Sequence, residues 1–226
     1  MKASFGPWAT AWPIAAQTAM ASGSQRTAAS ASLTGVSKSK LGSALKLLWT
    51  FKAEEGIHST AAIVDGKVYV GCDDGHLYAL DFKTGKKLWA FATDDIVESS
   101  PLVHNDRVYF GSSDGFVYAV TAKDGKLLWK FETEDRVLGA PNLFEPSGDG
   151  AKPALIVGSY DFRLYSLDLD SGKSNWHYET SNYINGSPAV SSGRTAFGGC
   201  DAVLHVIQLA EGKKEKQIDA GAYIVG

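Results

Sequence analysis

Five histidines, two cysteines and a run of aspartates are the residues here best equipped for chemistry. His58, His76, His104, His177 and His205 never fall at the spacing that puts two imidazoles on one metal ion. Cys72 and Cys200 are the only thiols, too few for a disulfide framework and unlike any zinc pattern. Both read as small apolar residues near strand ends. Asp168 and Asp170 in "DLDSG" stand two apart, as in a calcium loop, but they lie in a hairpin turn. The Asp-Gly pairs at 65–66, 74–75, 114–115 and 124–125 are turn formers first and acids second. No G-x-S-x-G, P-loop or H-E-x-x-H occurs. Catalytic, cofactor-binding and metal-ligating residues are therefore assigned to none of these positions.

The elements that would have to position any site repeat. "VYVGCDDGHLYALDFKTGKKLW" (Val68 to Trp89) returns forty residues later as "VYFGSSDGFVYAVTAKDGKLLW" (Val108 to Trp129). Trp49, Trp89 and Trp129 stand 40 apart, and Trp176 follows after 47, the excess lying in the loop "FEPSGDGAKPA". The next interval lands on Lys216, in a degenerate copy. Each unit reads as four short strands, in the first unit "STAAIV", "KVYVGC", "HLYALD" and "KKLWAFA", joined by Gly-bearing turns. No segment holds a 3.6-residue period. Four strands per repeat of this length predict an all-β chain of antiparallel β-propeller blades, at about 59–98, 99–138, 139–185 and 186–225.

Comparing the repeats column by column separates shape from possible binding. Pro101, Pro141 and Pro188 recur in the first strand, where an edge facing the central channel tolerates the missing N–H. Ser99, Ser100, Gly139, Ala140, Gly186 and Ser187 beside them suit a crowded hub, and glycines at 71, 111, 158 and 198 end the second strand. Ile57, Val97, Val137, Ile184 and Ile224 share one position, always β-branched, and read as packing. The positions on either side vary: Gly56, Ile96, Arg136 and Tyr183 before it, and His58, Glu98, Leu138 and Asn185 after it. His58, Glu98, Arg136, Tyr183 and Asn185 are the candidate binding residues, at the mouth of the channel.

The repeat "ALDFKTGKKLW" (Ala79 to Trp89) resembles the tryptophan-docking motif of pyrroloquinoline-quinone-type propellers. That family includes quinoprotein alcohol dehydrogenases and the propeller lipoprotein of the outer-membrane assembly machinery. The resemblance covers roughly Leu47 to Gly226; Thr121 replaces Asp in the second copy, and the last keeps only Gly212. It implies that Trp49, Trp89, Trp129 and Trp176 dock on neighbouring blades, with Gly85, Gly125 and Gly172 as their turn partners. It also implies rings of seven or eight blades, so four blades form an open arc of a larger ring. The oxidising members need calcium on Glu, Asn and Asp oxygens, a catalytic Asp and often adjacent cysteines. No two cysteines are adjacent here, so neither quinone nor calcium is expected.

Composition narrows the rest. All 25 acidic residues follow residue 53 while five of the 22 basic ones precede Leu47, so the body from Leu47 onward carries 17 basic against 25 acidic residues, or −8. Such a body is a poor partner for nucleic acid. No window approaches 18 uninterrupted apolar residues, so no transmembrane helix is expected. Residues 1–46, rich in Ala and Ser, read as a leader and linker, either a disordered segment or a weak export signal ending at "AMAS". The resulting expectation is a non-catalytic binding or scaffold propeller with a protein partner, periplasmic or envelope-associated, with a cytoplasmic alternative. A fragment of a quinoprotein dehydrogenase, or a carbohydrate-binding propeller using Tyr160, Tyr183 and Arg136, are the alternatives. "LLWTFKA" (Leu47 to Ala53) reads as a lone fourth strand, and exposed blade faces at both ends are expected to drive self-association.

Overall fold

Residues 46–146 and 152–224 are described by a computed structural model; residues 1–45 and the tip of the third blade's insertion lie outside it. The described residues contain no helix and form four antiparallel sheets of four strands, each ordered as in the chain. The first is β1 (Ala62–Val64), β2 (Lys67–Gly71), β3 (His76–Asp81) and β4 (Lys87–Ala92). The second is β5 (Leu102–His104), β6 (Arg107–Gly111), β7 (Phe116–Thr121) and β8 (Leu127–Glu132). The third is β9 (Asn142–Phe144), β10 (Ala154–Gly158), β11 (Arg163–Asp168) and β12 (Ser174–Glu179). The fourth is β13 (Ala189–Ser191), β14 (Arg194–Phe197), β15 (Val203–Gln208) and β16 (Lys213–Asp219). This is a partial β-propeller. Core clusters join each blade to the next, and none among the described residues joins the first to the fourth, so the blades form an open arc.

Period-2 patterning explains the stacking. In blade 1, Tyr69, Leu77 and Ala79 face blade 2, while Val68, Val70, Tyr78 and Leu80 face the other way. A bulge recurs in every blade, between Ala79 and Leu80, Ala119 and Val120, Ser166 and Leu167, and Val206 and Ile207. The extra outer-strand residue sets Trp89 opposite Ala79, Trp129 opposite Ala119 and Trp176 opposite Ser166.

Each of those indoles lies on a glycine of the next blade. An added Cβ would meet the ring of Trp49 at 2.5 Å from Gly85, Trp89 at 2.7 Å from Gly125, Trp129 at 2.5 Å from Gly172 and Trp176 at 2.6 Å from Gly212. All four glycines sit at φ between +67° and +70°, so the turn and the ring demand glycine separately. Each indole N–H donates to a backbone carbonyl of that blade: Phe82, Ala122, Leu169 and Leu209, at 2.8, 3.4, 3.0 and 3.0 Å. The Ala122 carbonyl also accepts from Tyr69 Oη and Lys67 Nζ, and burial pushes the Tyr69 hydroxyl up to about 12.

Three expectations are corrected. The first strands are three residues long, and Pro101, Pro141 and Pro188 lie immediately before them rather than inside. Lead-in serines and the first residue of β9 tie the hub together, through Ser59 Oγ to Ser99 O (3.3 Å), Ser99 Oγ to Gly139 O (3.0 Å) and Asn142 Nδ2 to Pro188 O (2.8 Å). Leu47 to Ala53 makes no strand, having no described sheet to pair with, although Trp49, Phe51 and Ala53 still cover the outer face of blade 1.

Candidate functional site

Strands alternate in direction, so the turns of each blade divide between two edges. The β1–β2 and β3–β4 turns, with the docked tryptophans, share one edge. The β2–β3 turns and the loops entering each blade share the other, the edge expected to form the channel mouth. There the loops are held by a repeated backbone bond: Asp73, Ser113, Tyr160 and Cys200 donate to the carbonyls of Gly56, Ile96, Arg136 and Tyr183 at 2.9–3.0 Å. Val97, Val137 and Ile184 are buried against Gly71, Gly111 and Gly158, where a Cβ would meet them at 2.3, 2.2 and 2.3 Å. The packing column thereby fixes the height of the variable positions beside it.

On the side of blades 1 and 2 the mouth is polar. His58 Nδ1 lies 2.8 Å from Asp73 Oδ2, and one ligand-type atom each from His58, Asp73 and Glu98 falls within 4.8 Å of the others. The hydrogen bond that His58 donates to Asp73, aided by the charges of Asp73 and Glu98, raises the imidazole above its ordinary value against the opposing effect of burial. Gly56 leaves room for this contact, since a Cβ there would meet Asp73 Oδ2 at 2.7 Å.

On the side of blades 3 and 4 it is aromatic. The Tyr160 and Tyr183 rings stack at 4.8 Å, and Phe162 meets Tyr183 edge-on at 5.2 Å. Phe162 sits at φ +71°, where blades 1 and 2 carry Gly75 and Gly115, a conformation strained for a bulky side chain. Burial raises the Tyr160 hydroxyl, the charges of Cys200 and Glu98 adding to it and that of Arg136 opposing. Arg136 and Tyr183 are exposed, Tyr183 by 40%. Beside them, a shallow groove around the loop joining blades 2 and 3 is lined by Asp95, Asp114, Glu132, Glu134 and Asp135.

Four buried side-chain polar atoms of the described residues have no hydrogen-bond partner, and three of them, Asp73 Oδ1, Ser113 Oγ and Asn185 Oδ1, belong to mouth positions. The fold thus brings His58 and Glu98 together, sets Tyr183 on Tyr160 and places Asn185 and Arg136 on the same edge. Sequence comparison missed the column Asp73, Ser113, Tyr160, Cys200, naming only Tyr160 of it as a carbohydrate contact, and missed Phe162, whose departure from the Asp-Gly pattern was visible. The other chemistry-bearing residues have structural tasks. Asp168 Oδ1 accepts from Ser171 N and Oγ at 2.8 and 2.7 Å, and Asp170 pairs with Arg107 at 2.9 Å. Cys72 is fully buried, and its thiol donates to Gly56 O at 3.3 Å.

The fold has solved counterparts. BamB from Moraxella catarrhalis superposes with a TM-score of 0.63 at 21% identity, over 75% of this chain and 55% of that one. The computationally designed Ika8 protein also gives 0.63, at 17% identity, over 73% and 50%. The chain therefore spans about half the length of these structures. The uncharacterized protein MJECL23 of Methanocaldococcus jannaschii is 50% identical over 42 residues, 19% of this chain and 5% of that protein. The family model described as outer membrane protein assembly factor BamB matches residues 44–223, and with the docked tryptophans and bulged four-stranded blades in place, the chain belongs to that BamB-like family of PQQ-type propellers.

Proposed function

We propose that this chain is a non-catalytic binding module whose channel mouth receives a protein partner during assembly at the cell envelope. The observation that carries this reading is the clustering of three orphaned buried polar atoms at the mouth. Each costs about 1–3 kcal/mol unless something satisfies it, and a native fold retains few without a reason. Variation supports it: the columns that hold blades together are alike but for the tryptophan lost at Lys216 in the last copy, while those at the mouth differ throughout. The family description supports the envelope setting. The acidic groove beside Arg136 favours a partner presenting a basic segment. No described helix is long and apolar enough to cross a membrane.

On this reading the chain needs neither quinone nor calcium. The test is a pulldown from envelope extract with the parent and a Glu98→Ala, Arg136→Ala, Tyr183→Ala variant, beside an absorbance titration with the quinone. A polypeptide held by the parent and released by the variant is expected. Capture that is unaffected by the triple change, or quinone binding at micromolar concentration, overturns it. The stacked and exposed Tyr183 ring supports a second reading, carbohydrate binding, which a glycan array with the same variant tests.

A further inference from the structure

We infer that His58, Asp73 and Glu98 form a binding site for a divalent transition-metal ion, with zinc as the representative cation. The three side chains come from three segments: the loop entering blade 1, the β2–β3 turn and the loop entering blade 2. Their ligand atoms nevertheless converge to within 4.8 Å of one another; one ion with bonds near 2.0–2.2 Å spans at most about 4.4 Å, so the exposed His58 ring turns slightly inward to close the set. The donors are held in advance. Asp73 N donates to Gly56 O at 2.9 Å, and Val97 N donates to Cys72 O at 3.0 Å, fixing the turn against both loops.

Two further observations point to a ligand rather than to a self-contained ion pair. Asp73 spends Oδ2 on His58, but its Oδ1 is buried and accepts no hydrogen bond from any described residue. Glu98 makes no hydrogen bond or ion pair among the described residues, though its charge reaches His58. Gly56 is also the only member of its column without a side chain, the others being Ile96, Arg136 and Tyr183, and its missing Cβ is the space the Asp73 carboxylate occupies. No other blade combines such donors; the matching positions are Leu138 and Asn185 in one column, and Ser113, Tyr160 and Cys200 in the other.

The donor set selects the ion class. One imidazole nitrogen with two carboxylate oxygens suits zinc, cobalt or manganese, whereas calcium takes six to eight oxygens. Three protein ligands also leave a coordination position open, and the 66% exposure of the His58 side chain directs it to solvent at the mouth. This inference shares the orphaned Asp73 Oδ1 with the partner reading, but its test is read on the chain alone and so fails or succeeds separately.

The experiment is calorimetric titration of the tag-free, chelator-stripped full chain with zinc chloride, together with the visible absorption of a cobalt(II) adduct. One saturable equivalent is expected, weakened about tenfold or more by His58→Ala and by Glu98→Gln. His177→Ala, which removes an exposed histidine on β12, should leave binding unchanged. Circular dichroism of each variant verifies the fold, which an exposed His58 should not disturb. Absence of a saturable equivalent overturns the site. So does zinc binding that survives both substitutions, or calcium binding of equal strength that ignores His58→Ala.

Discussion

The two edges of the arc are built from the same strands and treat their side chains in opposite ways. At the docking edge every blade repeats one arrangement: an indole on a glycine at positive φ, its N–H on a backbone carbonyl. At the mouth the backbone repeats equally well, with the same bond from the β2–β3 turn to the entering loop, yet the side chains change from His58 and Asp73 to Tyr160 and Tyr183. Repetition of both backbone and side chain marks positions spent on geometry. Repetition of backbone alone marks a frame on which side chains are free to meet something else. The difference also appears in satisfaction: the indole donors find acceptors, while three mouth atoms do not.

If that contrast is right, the largest effect belongs to the docking edge. Trp129, 8% exposed and central to the interface of blades 2 and 3, should cost about 3–5 kcal/mol when changed to Ala, read by urea denaturation. Gly172→Ala attacks the same contact from the other side, adding a Cβ 2.5 Å from the ring at φ +69°, and should cost about 2–4 kcal/mol. A parent-like midpoint for either variant breaks the comparison.

Phe162→Gly sharpens it, because stability and binding should move in opposite directions. Relief of the positive φ should stabilise the chain by about 1 kcal/mol, while loss of the ring against Tyr183 weakens partner capture. A destabilised variant would show that the ring contact outweighs the strain. Smaller still, Arg136→Ala and Lys83→Ala should each fall within about 0.5 kcal/mol of the parent, and only the former should affect capture.

The smallest effect is a pH dependence. The hydrogen bond from the Ser171 hydroxyl, then that from its backbone N–H, lowers the Asp168 carboxyl below its ordinary value. A depressed carboxyl contributes stability above its unfolded pKa and loses it as pH falls through the folded one. Asp168→Ala should therefore melt below the parent at pH 7 and converge with it only as the pH falls through the depressed folded value, below the ordinary 3.8. A gap that persists in acid would mean the turn needs the side chain's shape, not its charge.

Much of the fold could be read from the sequence because its signals are local and repeated. Asp65-Gly66 takes φ of 48° and 72° in a two-residue hairpin, as its composition dictates, and Asn105-Asp106 does the same without glycine. The bulges could not be read, since an extra residue opposite a partner strand leaves no local mark in "KKLWAFA". Strand length was overestimated at the hub, where small residues bond side chain to backbone between blades instead of pairing within one. The candidate mouth residues were legible as variable columns, but the meeting of His58 with Asp73 and Glu98 was not. Those three lie 15 and 25 residues apart, and only the closure of two loops over one turn brings them together.

The central claim is that the variable edge binds and the repeated edge holds. Site-specific photo-crosslinking in cells tests it most directly, with a probe at Arg136 or Tyr183 on the mouth and at Lys83 or Lys123 on the docking-edge turns. The account predicts adducts to one envelope polypeptide from the mouth positions and none from the turns. Adducts from the turns with a silent mouth, or equal adducts from both edges, would contradict it.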